Sequence, residues 1–231
     1  MARGFHRTPV PPGPAADYLA QRVEDMVRRL GRARLAVAGG SAQEVLGLLR
    51  RALPPRTWGG ILLTWVDERC VPFADPRSNR GDAYRQGHLD VQDPPALELP
   101  LYLDAEDPAR ACARTSAALR EQFQDRLDVL LLGLGEDGHI ASLFPGRPFQ
   151  DPGGALVLPV LDSPKPPPRR ITLALPLLAT APVAVLVAAG AAKRTALERL
   201  ARGDPALPAS ALGDLDVFTD QDVGGDAEKN V

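Results

Sequence analysis

One pattern recurs along the chain: a short apolar run stops at glycines or charges, and an amphipathic segment follows. "LAVA" leads to Gly39-Gly40-Ser41, and "ILLTWV" leads to Asp67-Glu68-Arg69. "DVLLLGL" leads to Gly135-Glu136-Asp137-Gly138-His139, and "VAVLVAAG" to Ala191-Ala192-Lys193. Apolar runs of this length without alternation predict strands buried on both faces, as in a parallel sheet covered by helices. The intervening segments have helical period. Leu19, Val23, Met26, Val27 and Leu30 share one face, and Gly31 can end that helix. Val45, Leu48, Leu49 and Ala52 form the stripe of "SAQEVLGLLRRAL", where Ser41 and Glu44 have capping-box spacing. Asp107 and Pro108 read as N-cap and first turn of "DPARACARTSAALREQF". "GAAKRTALERLARG" is a helix stopped by Gly203. "ITLAL", "ALVLPVL" and "DVFTD" add strands, Pro159 arguing against a central position for the second, and "DSPKPPPRR" is a stiff loop. The expected fold is α/β, one domain over residues 1–231, with a mostly parallel sheet and helices on both faces. Residues 1–14 and 222–231 are expected to be flexible ends.

A chain of 231 residues is long enough to bury a substantial core. Net charge is −2, from 27 basic and 29 acidic residues, and no basic stripe stands out, so a nucleic-acid partner is not expected. Cys70 and Cys112 form no C-x-x-C, which argues against a disulfide scaffold or a zinc site and for a reducing compartment. The N-terminus lacks the apolar core of a signal peptide, and "PVAVLVAAGAA" is too short to span a bilayer. A cytoplasmic protein without a membrane partner is the expectation.

In an open parallel sheet, ligands bind outside the carboxyl ends of the strands. The four polar clusters above would meet on that edge although they lie far apart in sequence. Gly133-x-Gly135-x-x-Gly138 matches a dinucleotide fingerprint, which should open a helix and meet an acid at the next strand's end. Asp162 could supply the acid. The helix is missing, because only "IASLF" separates His139 from Pro145-Gly146. The glycines instead suit a sharp turn with close backbone approach to a ligand. His139 is either a structural histidine or an imidazole oriented for chemistry by Asp137. Gly39-Gly40-Ser41 is either a plain turn or an anion site at a helix N-terminus. Arg69 suits Asp67 as a partner, or a phosphate or carboxylate. Lys193 is a surface lysine, or a cation whose conflict with its helix dipole a bound anion would remove.

"GGS", "VDERCVPFADPRSN", "DVLLLGLGEDGHIASLFPG", "PKPPPRRITLALPLL" and "VLVAAGAAKRTAL", in this order and spacing, resemble the 6-phosphogluconolactonase family. The resemblance spans roughly residues 15–220. It implies a Rossmann-like sheet, no metal or other cofactor, and hydrolysis of 6-phospho-D-glucono-1,5-lactone to 6-phosphogluconate. That is the second step of the oxidative pentose phosphate pathway, so functional coupling to glucose-6-phosphate dehydrogenase is the partner expectation. Carried over by position, His139 and Asp137 are the catalytic candidates. Gly39, Gly40, Ser41, Asp67, Arg69, Asn79, Gly135, Arg170 and Lys193 are the substrate-binding candidates. The chain departs from the family's G-G-S-T-P at Ala42 and Gln43, and its tail "DVFTDQDVGG" matches poorly. One alternative is a glucosamine-6-phosphate deaminase, which resembles this chain through the D-G-H block. Those enzymes carry D-E-Y and D-G-H-I-A-F-N-E-P, against D-E-R and D-G-H-I-A-S-L-F-P here. A second alternative is a non-catalytic phosphosugar sensor on the same fold.

Overall fold

The structure, a computed structural model, describes residues 3–149 and 153–223. It opens with strand β1 (Arg3–Arg7) and helix α1 (Pro12–Leu30). Proline in the first turn needs no backbone N–H, and Gly31 at φ 75° ends the helix by donating to the Val27 carbonyl. Within the stretch expected as a flexible end, β1 pairs along its length with the last strand, and Pro12–Pro14 already lie in α1. From residue 224 onward the expected C-terminal fray lies outside the described residues.

Strand β2 (Ala33–Val37) is buried throughout and leads through a 3-10 turn, Gly40–Ala42, into α2 (Gln43–Ala52). The anticipated Ser41–Glu44 capping box does not form. The turn places Ala42, already helical, at the N-cap without a side-chain bond, and leaves Ser41 exposed. Next come α3 (Pro55–Trp58), β3 (Ile61–Trp65), β4 (Asp67–Arg69), α4 (Asn79–Arg85) and β5 (Leu97–Leu99). Helix α5 (Pro108–Ala118) begins as expected, with the Asp107 carboxylate accepting from Ala109 and Arg110 N–H. Then follow β6 (Val129–Gly133), β7 (Val157–Val160), β8 (Arg170–Leu173) and α6 (Leu175–Leu178). Strand β9 (Val183–Ala188), α7 (Arg194–Ala201) and β10 (Leu215–Thr219) close the chain.

Seven strands pair in parallel in the order β1-β10-β9-β6-β2-β3-β5. A second sheet, β4-β8-β7, is antiparallel. Pro159 sits in β7 on the edge of this small sheet, where its missing N–H breaks no ladder. The fold is therefore α/β with a mostly parallel main sheet. From β2 the chain steps outward to β3 and β5, whereas β6 returns to the other flank of β2. The strand order reverses between β2 and β6, and their carboxyl ends open a crevice there.

The opposite, amino end of the same strand pair is locked by a buried ion pair. Arg34 Nη1 lies 3.0 Å from Asp128 Oδ2, and the Arg34 backbone N–H donates to the same oxygen at 2.9 Å. Removing one partner of such a pair strands a buried charge. Arg34→Met is expected to destabilise the protein by about 3–5 kcal/mol in urea unfolding. Because the pair lies away from the crevice, turnover of the remaining folded protein should hold.

Candidate active site

The loop after β6 is built around its glycines. Gly135 N–H donates to the His139 carbonyl at 2.8 Å, and Gly138 N–H donates to the Gly135 carbonyl at 2.9 Å. Gly138 adopts φ 90°, and a Cβ there would stand 2.4 Å from Leu207 Cδ2. A Cβ on Gly135 would stand 2.0 Å from His139 Nδ1 and 2.5 Å from Asp137 Oδ1. The missing side chain is thus what lets the backbone pass behind this pair.

His139 Nδ1 and Asp137 Oδ1 are 2.6 Å apart. With Nδ1–H donating to the carboxylate, the neutral imidazole keeps a lone pair on Nε2. The Phe144 ring lies against His139 with centroids 4.8 Å apart, and the His139 side chain is 15% exposed. Burial pushes the imidazole below its ordinary pKa, opposed by the Asp137 bond and charge and by Asp67. Burial alone would raise Asp137, but the His139 bond and charge and the Lys165 charge hold it below the usual carboxylate range. The pair is therefore neutral imidazole beside ionised carboxylate near neutral pH.

Across the crevice, the loop after β2 also depends on a glycine. A Cβ on Gly39 would stand 1.9 Å from Asn79 Oδ1. Asn79 Nδ2 donates to the Asp67 carbonyl at 2.9 Å and to Asp67 Oδ1 at 3.2 Å. Ser142 Oγ donates to Asp67 Oδ2 at 2.6 Å. Gly40 at φ 66° and Ser41 are both exposed, and the Gly40–Ala42 turn touches both β6 and β9. Lys193 ends the 3-10 turn Ala191–Lys193 before α7, at the carboxyl end of β9, next to β6 in the sheet. It is partly exposed, and no ion pair engages it among the described residues. Arg69, on β4, donates from Nη1 to the Arg77 carbonyl at 2.8 Å, and its buried Nε has no partner.

With this geometry, known proteins can be compared. The family described as glucosamine-6-phosphate isomerases/6-phosphogluconolactonase matches residues 13–218. A 6-phosphogluconolactonase of Rattus norvegicus is 37% identical over 213 residues, covering 85% of this chain and 80% of its own. The chain belongs to this family, on its 6-phosphogluconolactonase branch. Among solved structures, a 6-phosphogluconolactonase from Thermotoga maritima superimposes with a TM-score of 0.79 at 22% identity, covering 94% of this chain and 99% of that one. A monomeric glucosamine-6-phosphate deaminase superimposes with a TM-score of 0.75 at 21% identity, covering 96% of this chain and 98% of that one. The fold is thus common to both branches of the family, and side chains must separate them.

Two of the sequence candidates, Asp67 and Arg170, are buried and bonded to other parts of the protein. Asp67 is buried, with both carboxylate oxygens engaged by protein. Arg170, expected to bind substrate, is also buried. It donates from Nε to the Pro167 carbonyl at 3.0 Å, and from Nη2 to the Lys165 and Pro166 carbonyls at 3.0 and 3.1 Å. Its Nη1 reaches Ser142 Oγ at 3.3 Å. These donors are engaged by a loop whose prolines supply no N–H groups. Glu68 was read from the sequence only as part of Asp67-Glu68-Arg69, without a role of its own, and Lys165 was not singled out. Glu68 accepts from Arg69, Asn79 and Arg80 N–H groups at 2.7, 2.7 and 2.8 Å, fixing the start of α4. An acid eleven positions before a helix start carries no sequence signature of capping. Cys70 and Cys112 are free, and burial pushes their thiols up to about 12 and about 11, so neither is a thiolate at neutral pH. Among the described residues, no group of three His, Cys, Asp or Glu could hold a metal ion, and no helix is long and apolar enough to cross a membrane.

The glycine argument is testable. Gly135→Ala should displace the Asp137–His139 pair, lowering turnover by about 10²-fold, as a 1 Å misplacement does. Circular dichroism should show the fold retained, and NMR of the His139 ring should show the displacement. An unshifted ring with full activity would refute the requirement for glycine.

Proposed function

We propose that this enzyme hydrolyses 6-phospho-D-glucono-1,5-lactone to 6-phosphogluconate, with His139 as general base. The observation that carries the reading is the neutral His139 imidazole, held by Asp137 beside the crevice where the strand order reverses. A lactone needs an activated water, donors for the developing oxyanion, and a proton for the leaving ring oxygen. Nε2 takes a proton from water as the oxygen attacks C1, and returns it to the ring oxygen as the C1–O bond breaks. Asp137 fixes the tautomer and supports the imidazolium between these steps. Backbone N–H groups of the glycine loops are the candidate oxyanion donors. Gly39, Gly40, Ser41, Arg69 and Lys193 hold the phosphate in this reading, and Asn79 shapes their loop. The enzyme then acts in the cytoplasm, in the pentose phosphate pathway, on the lactone that glucose-6-phosphate dehydrogenase releases.

Phe144 weighs against the deaminase reading. Aligned through "DGHIA", it stands where the similar deaminases have the glutamate of F-N-E-P, and here it packs on His139. An aromatic ring cannot move the proton between C2 and C1 that amino-sugar isomerisation requires. Arg69 likewise replaces the D-E-Y tyrosine.

The purified protein should open freshly generated lactone faster than its spontaneous hydrolysis, and His139→Ala should lower the net turnover by about 10²–10⁴. In wild type, kcat/KM should fall on acidification through a pKa below the ordinary histidine value, because burial disfavours the charged ring. Glucosamine 6-phosphate in D₂O should show neither C2 exchange nor ammonia release. Either signal, if lost in His139→Ala, would replace the lactonase reading with the deaminase one.

Lys193→Ala and Arg69→Ala should each weaken transition-state binding of the phosphorylated lactone by roughly 1.5–3 kcal/mol. Unphosphorylated gluconolactone should lose much less. Equal penalties on the two substrates would remove these residues from phosphate recognition.

A further inference from the structure

We propose that Lys165 is a positioning residue of the Asp137–His139 pair, delivered by a loop that Arg170 pins and sharing one carboxylate oxygen with the imidazole. The inference rests on the role of His139 proposed above. Lys165 Nζ lies 3.5 Å from Asp137 Oδ1, the same oxygen that stands 2.6 Å from His139 Nδ1. One acceptor therefore faces two donors from segments far apart in sequence. An oxygen held from both sides cannot swing away with the ring, so the ammonium fixes the direction in which Nε2 points.

The delivery is built into the loop. Ser163 N–H donates to the Pro168 carbonyl at 2.9 Å, and Ser163 Oγ donates to the Lys165 carbonyl at 2.9 Å. Pro166, Pro167 and Pro168 have no N–H groups, so the loop can make few bonds of its own. The carbonyls of Lys165, Pro166 and Pro167 converge instead on the Arg170 guanidinium. Arg170 lies on β8 directly opposite Arg69 on β4, so one ladder carries both the loop anchor and a phosphate candidate. The backbone of Lys165 is thus held while its side chain, 41% exposed, reaches Asp137.

The charge has a defined consequence. Asp137, Lys165 and Asp67 are the charged groups acting on His139. The two acids favour the imidazolium, while Lys165 and burial favour the neutral ring that can accept a proton. Loss of Lys165 therefore raises the His139 pKa, and loss of the Asp137 charge lowers it. An ion pair this exposed contributes little to folding, so the effect appears in titration and rate rather than in stability.

The test is an NMR titration of the His139 ring in wild type, Lys165→Met, Lys165→Arg and Asp137→Asn. The chain has 3 histidines, so His6 and His88 serve as internal references. Lys165→Met should move the His139 midpoint to higher pH, Lys165→Arg should restore it, and Asp137→Asn should move it lower. In parallel, Lys165→Met should lose more lactone turnover at about pH 6 than at about pH 8, with KM held. An unmoved midpoint in Lys165→Met overturns the proposal. An unmoved midpoint with KM raised only for the phosphorylated lactone would also overturn it, making Lys165 a substrate ligand. If wild type fails to hydrolyse the lactone, the function reading falls, while the titration still decides whether Lys165 governs the pair.

Discussion

The buried carboxylate of Asp67 is the constraint on which the crevice depends. It stands where the chain leaves the main sheet after β3 and enters the small sheet as β4. A buried charge is tolerated only when its acceptor sites are filled. The filling groups come from three distant segments: Asn79 at the start of α4, Ser142 just beyond the His139 loop, and Arg170 on β8, whose Nη1 lies 3.8 Å away. Asn79 in turn packs so close to Gly39 that no other residue fits there without a shift. One carboxylate therefore sets the relative positions of the β2 loop, the β6 loop and the proline loop. Their polar groups converge because satisfying Asp67 requires it, and the crevice is the space left between them.

Much of this was legible in the sequence, and the limits have physical causes. The unbroken apolar runs revealed β2, β3, β6 and β9, because strands buried on both faces need apolar side chains at every position. The absence of a helix after Gly133–Gly138 was read correctly, for β6 is followed among the described residues by turns and then β7. Strands β1, β4 and β5 escaped because β5 has three residues, β4 is the charged triplet Asp67-Glu68-Arg69, and β1 reads "RGFHR". Their pairing is dictated by partners rather than by their own composition. The contacts of Arg170 with its own loop were hidden for a similar reason. An arginine in a family motif looks the same whether its guanidinium faces a phosphate or three carbonyls of its own loop.

The electrostatics of the pair follow from opposed demands. In the role proposed for His139, the ring must be neutral to accept a proton, which burial favours, yet it must tolerate the charge it acquires, which Asp137 favours. Burying the ring without the carboxylate would leave a weak base unable to carry a proton. The carboxylate without burial would leave a ring already protonated over more of the acid range. Phe144 contributes to the first demand by covering one side of the imidazole, at a position where the similar deaminases place an acid. In the proposed reading, the ring that stands in place of that acid also helps to desolvate His139.

Networks of this kind also explain how the chain departs from its relatives at Ala42-Gln43 without losing the loop. Where the family reads Thr-Pro, Gln43 is buried and its Nε2 donates to the Asn79 carbonyl at 2.7 Å. The amide thus ties the start of α2 to the residue that packs against Gly39 and holds Asp67. Its Oε1 has no partner, and leaving such an oxygen unpaired costs about 1–3 kcal/mol. The tie offsets part of that cost by immobilising two loops at once. The threonine hydroxyl is gone, but the backbone of Gly40 and Ser41 remains exposed at the mouth of the crevice. Anion recognition by such a loop uses main-chain N–H groups, which any residue supplies. In the proposed phosphate role of this loop, its conformation is what must be kept, and Gln43 braces it from behind through the Asn79 carbonyl.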